Sequence, residues 1–212
     1  MATMLSFITT DAAVSPQMLK KALSYAVKDS FNMLSVDGDT STNDTLCILA
    51  SGKSGAPEIN APGPEFDNFC SVLRSLCIGL ARRMAKDGEG ASKLVECYIR
   101  GADSDEHARK VAKAVICSNL VKAAMFGADA NWGRVICAIG YCGVPLDINS
   151  VCISFVSRAG SILVCKDGRA VVFSEPDAKA ILSEDEITID CCIGTGEYSS
   201  TAFGCDLTYD YV

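Results

Sequence analysis

Apolar positions along the chain change their spacing several times, and each change marks an element. Thr3–Ile8 alternates apolar and polar side chains, the two-residue period of a half-buried strand. Ser15–Pro16 then starts a helix, with Ser as N-cap and Pro in the first turn, and Leu19, Leu23, Ala26 and Val27 form its apolar face. Met33–Val36 predicts a short strand, followed by a polar turn from Asp37 to Asp44, a strand at Thr45–Ala50 and a Gly/Pro-rich loop at Gly52–Pro64. A long helix is predicted over Glu65–Lys86, with Phe66, Phe69, Leu73, Leu76, Leu80 and Met84 on one side and Asp87–Gly90 as its stop. Ser92–Arg100 alternates as a strand. Asp103 with Glu106 reads as a capping box, and Val111, Val115, Ile116 and Leu120 continue that helix. Beyond Arg134 the pattern turns mostly to strands: Val135–Tyr141, Val151–Val156, a hairpin around Lys166–Arg169 and Ile187–Ile193, with a short helix near Pro176–Leu182.

This order predicts a layered α/β domain with a mixed or antiparallel sheet. Strands and helices do not alternate regularly, which argues against a Rossmann arrangement. There is no internal repeat.

Composition sharpens the picture. With 212 residues the chain is long enough to bury a core. The apolar share is 49% and the mean hydropathy +0.24, yet no apolar run reaches the roughly 18 residues of a spanning helix. Either the core is generous or another chain covers part of the apolar surface. The net charge is −7, and the densest basic spots are only Lys20–Lys21 and Arg82–Arg83, so neither nucleic acid nor a membrane is an expected partner. Twelve cysteines occur with no Cys-x-x-Cys pair, and His107 is the single histidine. Buried free thiols in a reducing compartment are expected, and no metal site. No secretory signal pattern is visible, so the expected location is cytoplasmic.

Several familiar motifs break. Gly52–Lys53–Ser54 resembles the end of a P-loop, but Cys47 stands where its first glycine belongs. Gly194–Thr195–Gly196 lacks a third glycine and a following helix. Asp37–Gly38–Asp39 fits neither a dehalogenase nucleophile, given Ser41, nor a calcium loop, given Thr42 and Ile48. A loop of Asp, Thr and Asn is more simply a set of turns held by side-chain-to-backbone bonds, with support of an active site as the alternative.

The first twelve residues, Met1 to Ala12, carry a more specific signal. They resemble the ornithine acetyltransferase (glutamate N-acetyltransferase) family at the point where its precursor cuts itself between an Ala and a Thr. Val36–Thr45, Asp87–Ala91, Gly127–Arg134 and Gly204–Val212 match the same family in order and spacing, so the resemblance covers the whole chain. It implies an N-terminal-nucleophile, α-β-β-α-like layered sandwich, with residues 1–212 forming the catalytic β chain; any further subdivision is placed near residues 130–150. Cleavage falls between Ala2 and Thr3, and Thr3 is the nucleophile. Thr3 and Glu89 bind substrate, Glu89 through an ammonium of ornithine. The implied reaction moves acetyl from N-acetylornithine to glutamate, in arginine biosynthesis, through an acetyl-Thr3 intermediate. No cofactor is needed, although acetyl-CoA is a conceivable second acetyl donor.

The chemistry gives Thr a reason to stand at a chain start. A hydroxyl is a poor nucleophile without a base, and an N-terminal residue carries its own amine, whose pKa is about 8. The resemblance implies that an upstream α chain supplies a substrate Lys and a Thr-Gly oxyanion hole, and that an Asn and a Thr or Ser beyond the tyrosine-rich end touch substrate. An αβ pair that dimerises is the expected assembly, with the β chain inactive alone. Two other readings stay open at this point: a related N-terminal-nucleophile aminopeptidase or amidohydrolase, and a non-catalytic α/β interaction domain. For Gly127–Arg134 and Gly204–Val212, turns, packing of Trp132 and a local ion pair suffice.

Overall fold

The computed structural model describes residues 4–211. The chain divides into two compact units. The first comprises residues 1–32 and 38–79, the second residues 33–37 and 80–212; residues 130–150 fall inside the second.

In the first unit, β1 (Leu5–Thr10) pairs in parallel with β3 (Thr45–Ala50), with Leu5 opposite Thr45 and Thr10 opposite Ala50. These two strands form a sheet of their own. Helix α1 (Pro16–Ala26) starts at Ser15, whose hydroxyl accepts the Met18 amide, as expected. Of the expected face only Ala26 is buried; Met18 and Ala22 join it, while Leu19, Leu23 and Val27 are half-exposed. Small residues allow closer backbone approach than leucines would, and packing chose that stripe. The long helix α2 (Pro64–Lys86) runs through the boundary between the units. Its buried residues are Cys70, Leu73, Cys77, Ala81 and Ala85, and Leu76 is exposed, a correction to the predicted face.

The second unit is built on a seven-stranded mixed sheet. Its strands are β2 (Leu34–Ser35), β4 (Leu94–Ala102), β5 (Cys152–Ser157), β6 (Gly160–Lys166), β7 (Arg169–Ala170), β8 (Glu186–Cys192) and β9 (Tyr198–Cys205), in the order β2-β9-β4-β8-β5-β6-β7. The pairs β2·β9 and β4·β8 are parallel and the rest antiparallel, so the mixed α/β class read from the sequence holds. Along the central strands, Val95, Cys97 and Ile99, Ile187, Ile189 and Cys191, and Ile153 and Phe155 are buried at every second position. Full burial of each large side chain among these contributes about 1.5–3 kcal/mol. Helices α3 (Asp105–Ile116) and α6 (Glu175–Leu182) pack on this sheet, and α4 (Asn119–Phe126) and α5 (Trp132–Gly140) pack on each other. The alternate positions are half-exposed or exposed and carry ion pairs, such as Arg82 to Glu96 at 2.8 Å and Arg100 to Asp190 at 3.1 Å.

Three local expectations are corrected here. Val135–Tyr141 is helical, not a strand. Asn131 caps α5 by accepting the Arg134 amide at 3.3 Å, and Val135, Ala138 and Ile139 are buried at helical spacing. The cap of α3 is Ser104, one residue after the predicted Asp103, and its hydroxyl accepts the His107 amide. That helix ends at Ile116, and Ser118 caps α4 separately.

Candidate active site

Of the expected site residues, Ala2 and Thr3 lie outside the described residues, and Glu89 lies in the second unit.

Met4, the residue after Thr3, is held from both sides. Its amide donates to Asp44 Oδ1 at 3.0 Å, and its carbonyl accepts the Thr45 amide at 2.8 Å. The parallel register that sets Leu5 opposite Thr45 explains the first bond, because it also sets residue 4 opposite residue 44. Asp44 Oδ2 accepts the Ser41 amide at 3.1 Å. These two amides, Met4 first and then Ser41, lower the Asp44 pKa below its ordinary value, since both bonds favour the ionised form. The rest of the loop is closed locally: Ser41 Oγ accepts the Asn43 amide at 3.1 Å, and Thr45 Oγ1 donates to the Asn43 carbonyl at 3.0 Å. The expected turn chemistry is there, and Asp44 adds an anchor at Met4 that sequence reasoning missed.

Glu89 is exposed in the turn that follows α2. The Ala91 amide donates to the Gly88 carbonyl at 2.9 Å, which places Glu89 and Gly90 at the centre of a β-turn. Gly90 has φ +64, the positive value that the third position of a type II turn requires. Among the described residues the Glu89 carboxylate has no hydrogen-bond or ion-pair partner.

Two other stretches singled out in the sequence meet this turn. The Asp206 carboxylate, 2% exposed, accepts the Ser92 amide at 2.9 Å and the Lys93 amide at 3.0 Å through Oδ1. Its Oδ2 accepts the Ser92 hydroxyl. Thr208 Oγ1 donates to the Gly90 carbonyl at 2.6 Å. Tyr211 donates its hydroxyl to Asp37 Oδ2 at 3.2 Å. A Cβ on Gly88 would lie 2.9 Å from Cys205 Sγ and 3.1 Å from Val36 Cγ1, so Val36–Asp37, Gly88–Gly90 and Cys205–Tyr211 form one packed cluster.

Beneath it lie lysines that bond main chain. Lys122, 3% exposed, donates to the Val36 carbonyl at 2.5 Å and the Cys205 carbonyl at 2.7 Å. Lys113 donates to the Leu34 carbonyl, and Lys93 to the Met125 and Leu182 carbonyls at 2.7 and 2.8 Å. Burial lowers the Lys93 pKa, against the raising effect of Asp206. Burial also raises the Cys205 thiol, opposed by Lys122. In the stretch Gly127–Arg134, Arg134 Nη1 donates to the Leu120 carbonyl at 2.9 Å, where the sequence had suggested an ion pair.

Comparison with known proteins places this geometry. The family model described as ArgJ family matches residues 1–212. The arginine biosynthesis bifunctional protein ArgJ 1 of Clostridium acetobutylicum is 49% identical over 212 residues, which are 100% of this chain and 52% of that protein. The ArgJ protein of Geobacillus stearothermophilus is 47% identical over the same 212 residues, covering 51% of its length. The chain thus spans about half the length of the curated relatives it matches. The crystal structure of the arginine biosynthesis bifunctional protein argJ from Bacillus halodurans superposes with a TM-score of 0.91 at 43% identity, covering 99% of this chain and 97% of that one.

Proposed function

Because the chain belongs to the ArgJ family, we propose that it is the catalytic half of an ornithine acetyltransferase, with Thr3 as nucleophile. The observation that carries the reading is the match of residues 1–212 to one family model. In support, the first described residue after Thr3 has both its amide and its carbonyl fixed, as a nucleophile's neighbour should.

Thr3 Oγ first attacks the Ala2 carbonyl carbon, converting the Ala2–Thr3 amide to an ester. Water then hydrolyses the ester, leaving an Ala2 carboxylate and a free Thr3 amine. In turnover that amine takes the Thr3 hydroxyl proton, Oγ attacks the acetyl carbon of N-acetylornithine, and ornithine leaves with the proton on its nitrogen. The glutamate amine then attacks acetyl-Thr3 and restores the hydroxyl. Glu89 takes an ammonium of the substrate. Acetyl-CoA serves as an alternative donor to the same Thr3.

The partner in this reading is the chain's own upstream half, in a dimer of αβ pairs. Two facts favour it. The Bacillus halodurans chain is almost coextensive with this one, although sequence relatives are about twice as long. In addition, the first unit's sheet has two parallel strands and exposes Leu5 (61%), Phe7 (64%) and Leu49 (57%). Parallel sheets are otherwise covered on both faces. The cytoplasmic setting is favoured by the free cysteines, of which Cys97, Cys165, Cys191 and Cys205 are buried in the second unit. No helix among the described residues is long and apolar enough to cross a membrane.

Mass spectrometry of the full-length gene product tests the cleavage, and donor–acceptor assays test the transfer. Two fragments split before Thr3 and acetyl passing from acetylornithine to glutamate are expected. Thr3→Ala should abolish both, while Thr3→Ser keeps some of each. Ordinary cleavage and turnover in Thr3→Ala would overturn the assignment, and release of acetate to water without glutamate would indicate a hydrolase.

A further inference from the structure

The Glu89 carboxylate has no partner of its own among the described residues, so the main chain of its turn sets its direction. A side chain from outside the turn holds that main chain at the Gly90 carbonyl. Thr208 Oγ1 donates to the Gly90 carbonyl at 2.6 Å and accepts the Asp210 amide at 3.0 Å, joining the turn to the last described residues. The two segments also touch without side chains. A Cβ on Gly90 would lie 2.5 Å from the Asp210 carbonyl carbon and 2.6 Å from the Tyr211 nitrogen, so the tail backbone fills the space above the turn. Just upstream, Asp206 holds both amides that follow the turn, at Ser92 and Lys93. The tail is therefore a brace with a buried foot at Asp206 and, among the described residues, a side-chain bond from Thr208 to the turn itself.

We propose that Thr208 is a positioning residue for Glu89: it fixes the turn so that the Glu89 carboxylate meets the ammonium of the amino-acid substrate. This rests on the reading of Glu89 as a substrate carboxylate. A brace of this kind acts on recognition rather than on the acetyl-transfer step. Its loss should therefore raise KM for the cationic donor and leave kcat and self-cleavage as they were.

The test uses the self-cleaved product of the full-length gene. Thr208→Val keeps the shape and removes both hydrogen bonds, and Thr208→Ala serves if the valine is not accommodated. The expected result is a rise in KM for acetylornithine of roughly three- to tenfold, the range of one ordinary hydrogen bond, with kcat unchanged and Thr208→Ser close to the parent. In a Glu89→Gln background the same change should add nothing, because the brace acts only through that carboxylate. A KM that rises by the same factor with and without Glu89, or that Thr208→Ser fails to rescue, would overturn the proposal. If Glu89→Gln raises KM while Thr208→Val and Thr208→Ala do not, the brace falls and the substrate role of Glu89 stands. If Glu89→Gln is itself silent, both fall.

Discussion

The two sheets of this chain are built to different standards. The seven-stranded sheet of the second unit closes its own core, with Ile99, Ile153, Phe155 and Ile189 fully buried and helices α3 and α6 packed on it. The β1–β3 sheet of the first unit has only two strands, pairs them in parallel, and leaves Leu5, Phe7 and Leu49 more than half exposed. A lone pair of strands is marginal in water, and a parallel pair is the less stable kind. In the proposed reading, the strand that follows the nucleophile belongs to the sheet that is short of neighbours. In the same reading, the sturdy sheet lies in the unit that carries Glu89, and the open one is the face offered to the proposed upstream half.

The largest expected effect breaks that contrast directly. Expressed alone, the chain should self-associate through the first unit, and the upstream half supplied in trans should convert it to a soluble complex. Phe7→Asp should then weaken that complex by roughly 30-fold or more, the scale of a buried aromatic anchor. Light scattering after size exclusion measures both, and a clean monomer indifferent to the upstream half would refute the contrast.

Next in size is the cluster under the second unit's sheet edge. Lys122→Met leaves the Val36 and Cys205 carbonyls without their buried donor and should cost about 2–4 kcal/mol in urea unfolding. A loss near zero would mean that water replaces the ammonium.

The smallest effect concerns alkaline pH. Burial raises the thiols of Cys70 and Cys77 in the first unit and of Cys165 and Cys205 in the second above the usual 9.0. Cys191 is raised well above it, chiefly by its bond with Cys97. A raised folded pKa gives stability that is complete below 9.0 and is lost as pH climbs through the folded values. Lys93 and Lys113, lowered by burial, act in the opposite sense as pH approaches 10.5. Thiols outnumber them, so Tm should hold to about pH 9 and then decline. A Tm that rises there would show that the lysines prevail.

Much of this architecture was readable from spacing, and the failures share a cause. α1 and α2 were placed within a residue or two, and the strands Ser92–Arg100, Val151–Val156 and Ile187–Ile193 fall on β4, β5 and β8. Val135–Tyr141 misled because a short run of Val, Ile and Cys suits a strand and a buried helix alike; the deciding signal was the Asn131 cap. β9 was missed because Tyr198–Thr201 is polar, although the strand is held on both sides by β2 and β4. The Asp44 anchor was out of reach for a different reason. It joins residues 40 apart through a parallel register, and nothing local announces such a pairing. The resemblance named Thr3 and Glu89, but the brace on Glu89 depends on contacts between residues more than a hundred positions apart.

The lysines at 93, 113 and 122 carry one further consequence. Each grips carbonyl oxygens, a feature that every residue presents alike. The bonded oxygens at Leu34, Val36, Met125 and Leu182 therefore survive a change of side chain there, whereas a change at the lysines removes the donors. The carbonyl staples under Glu89 thus depend on residue identity at their donors and not at their acceptors.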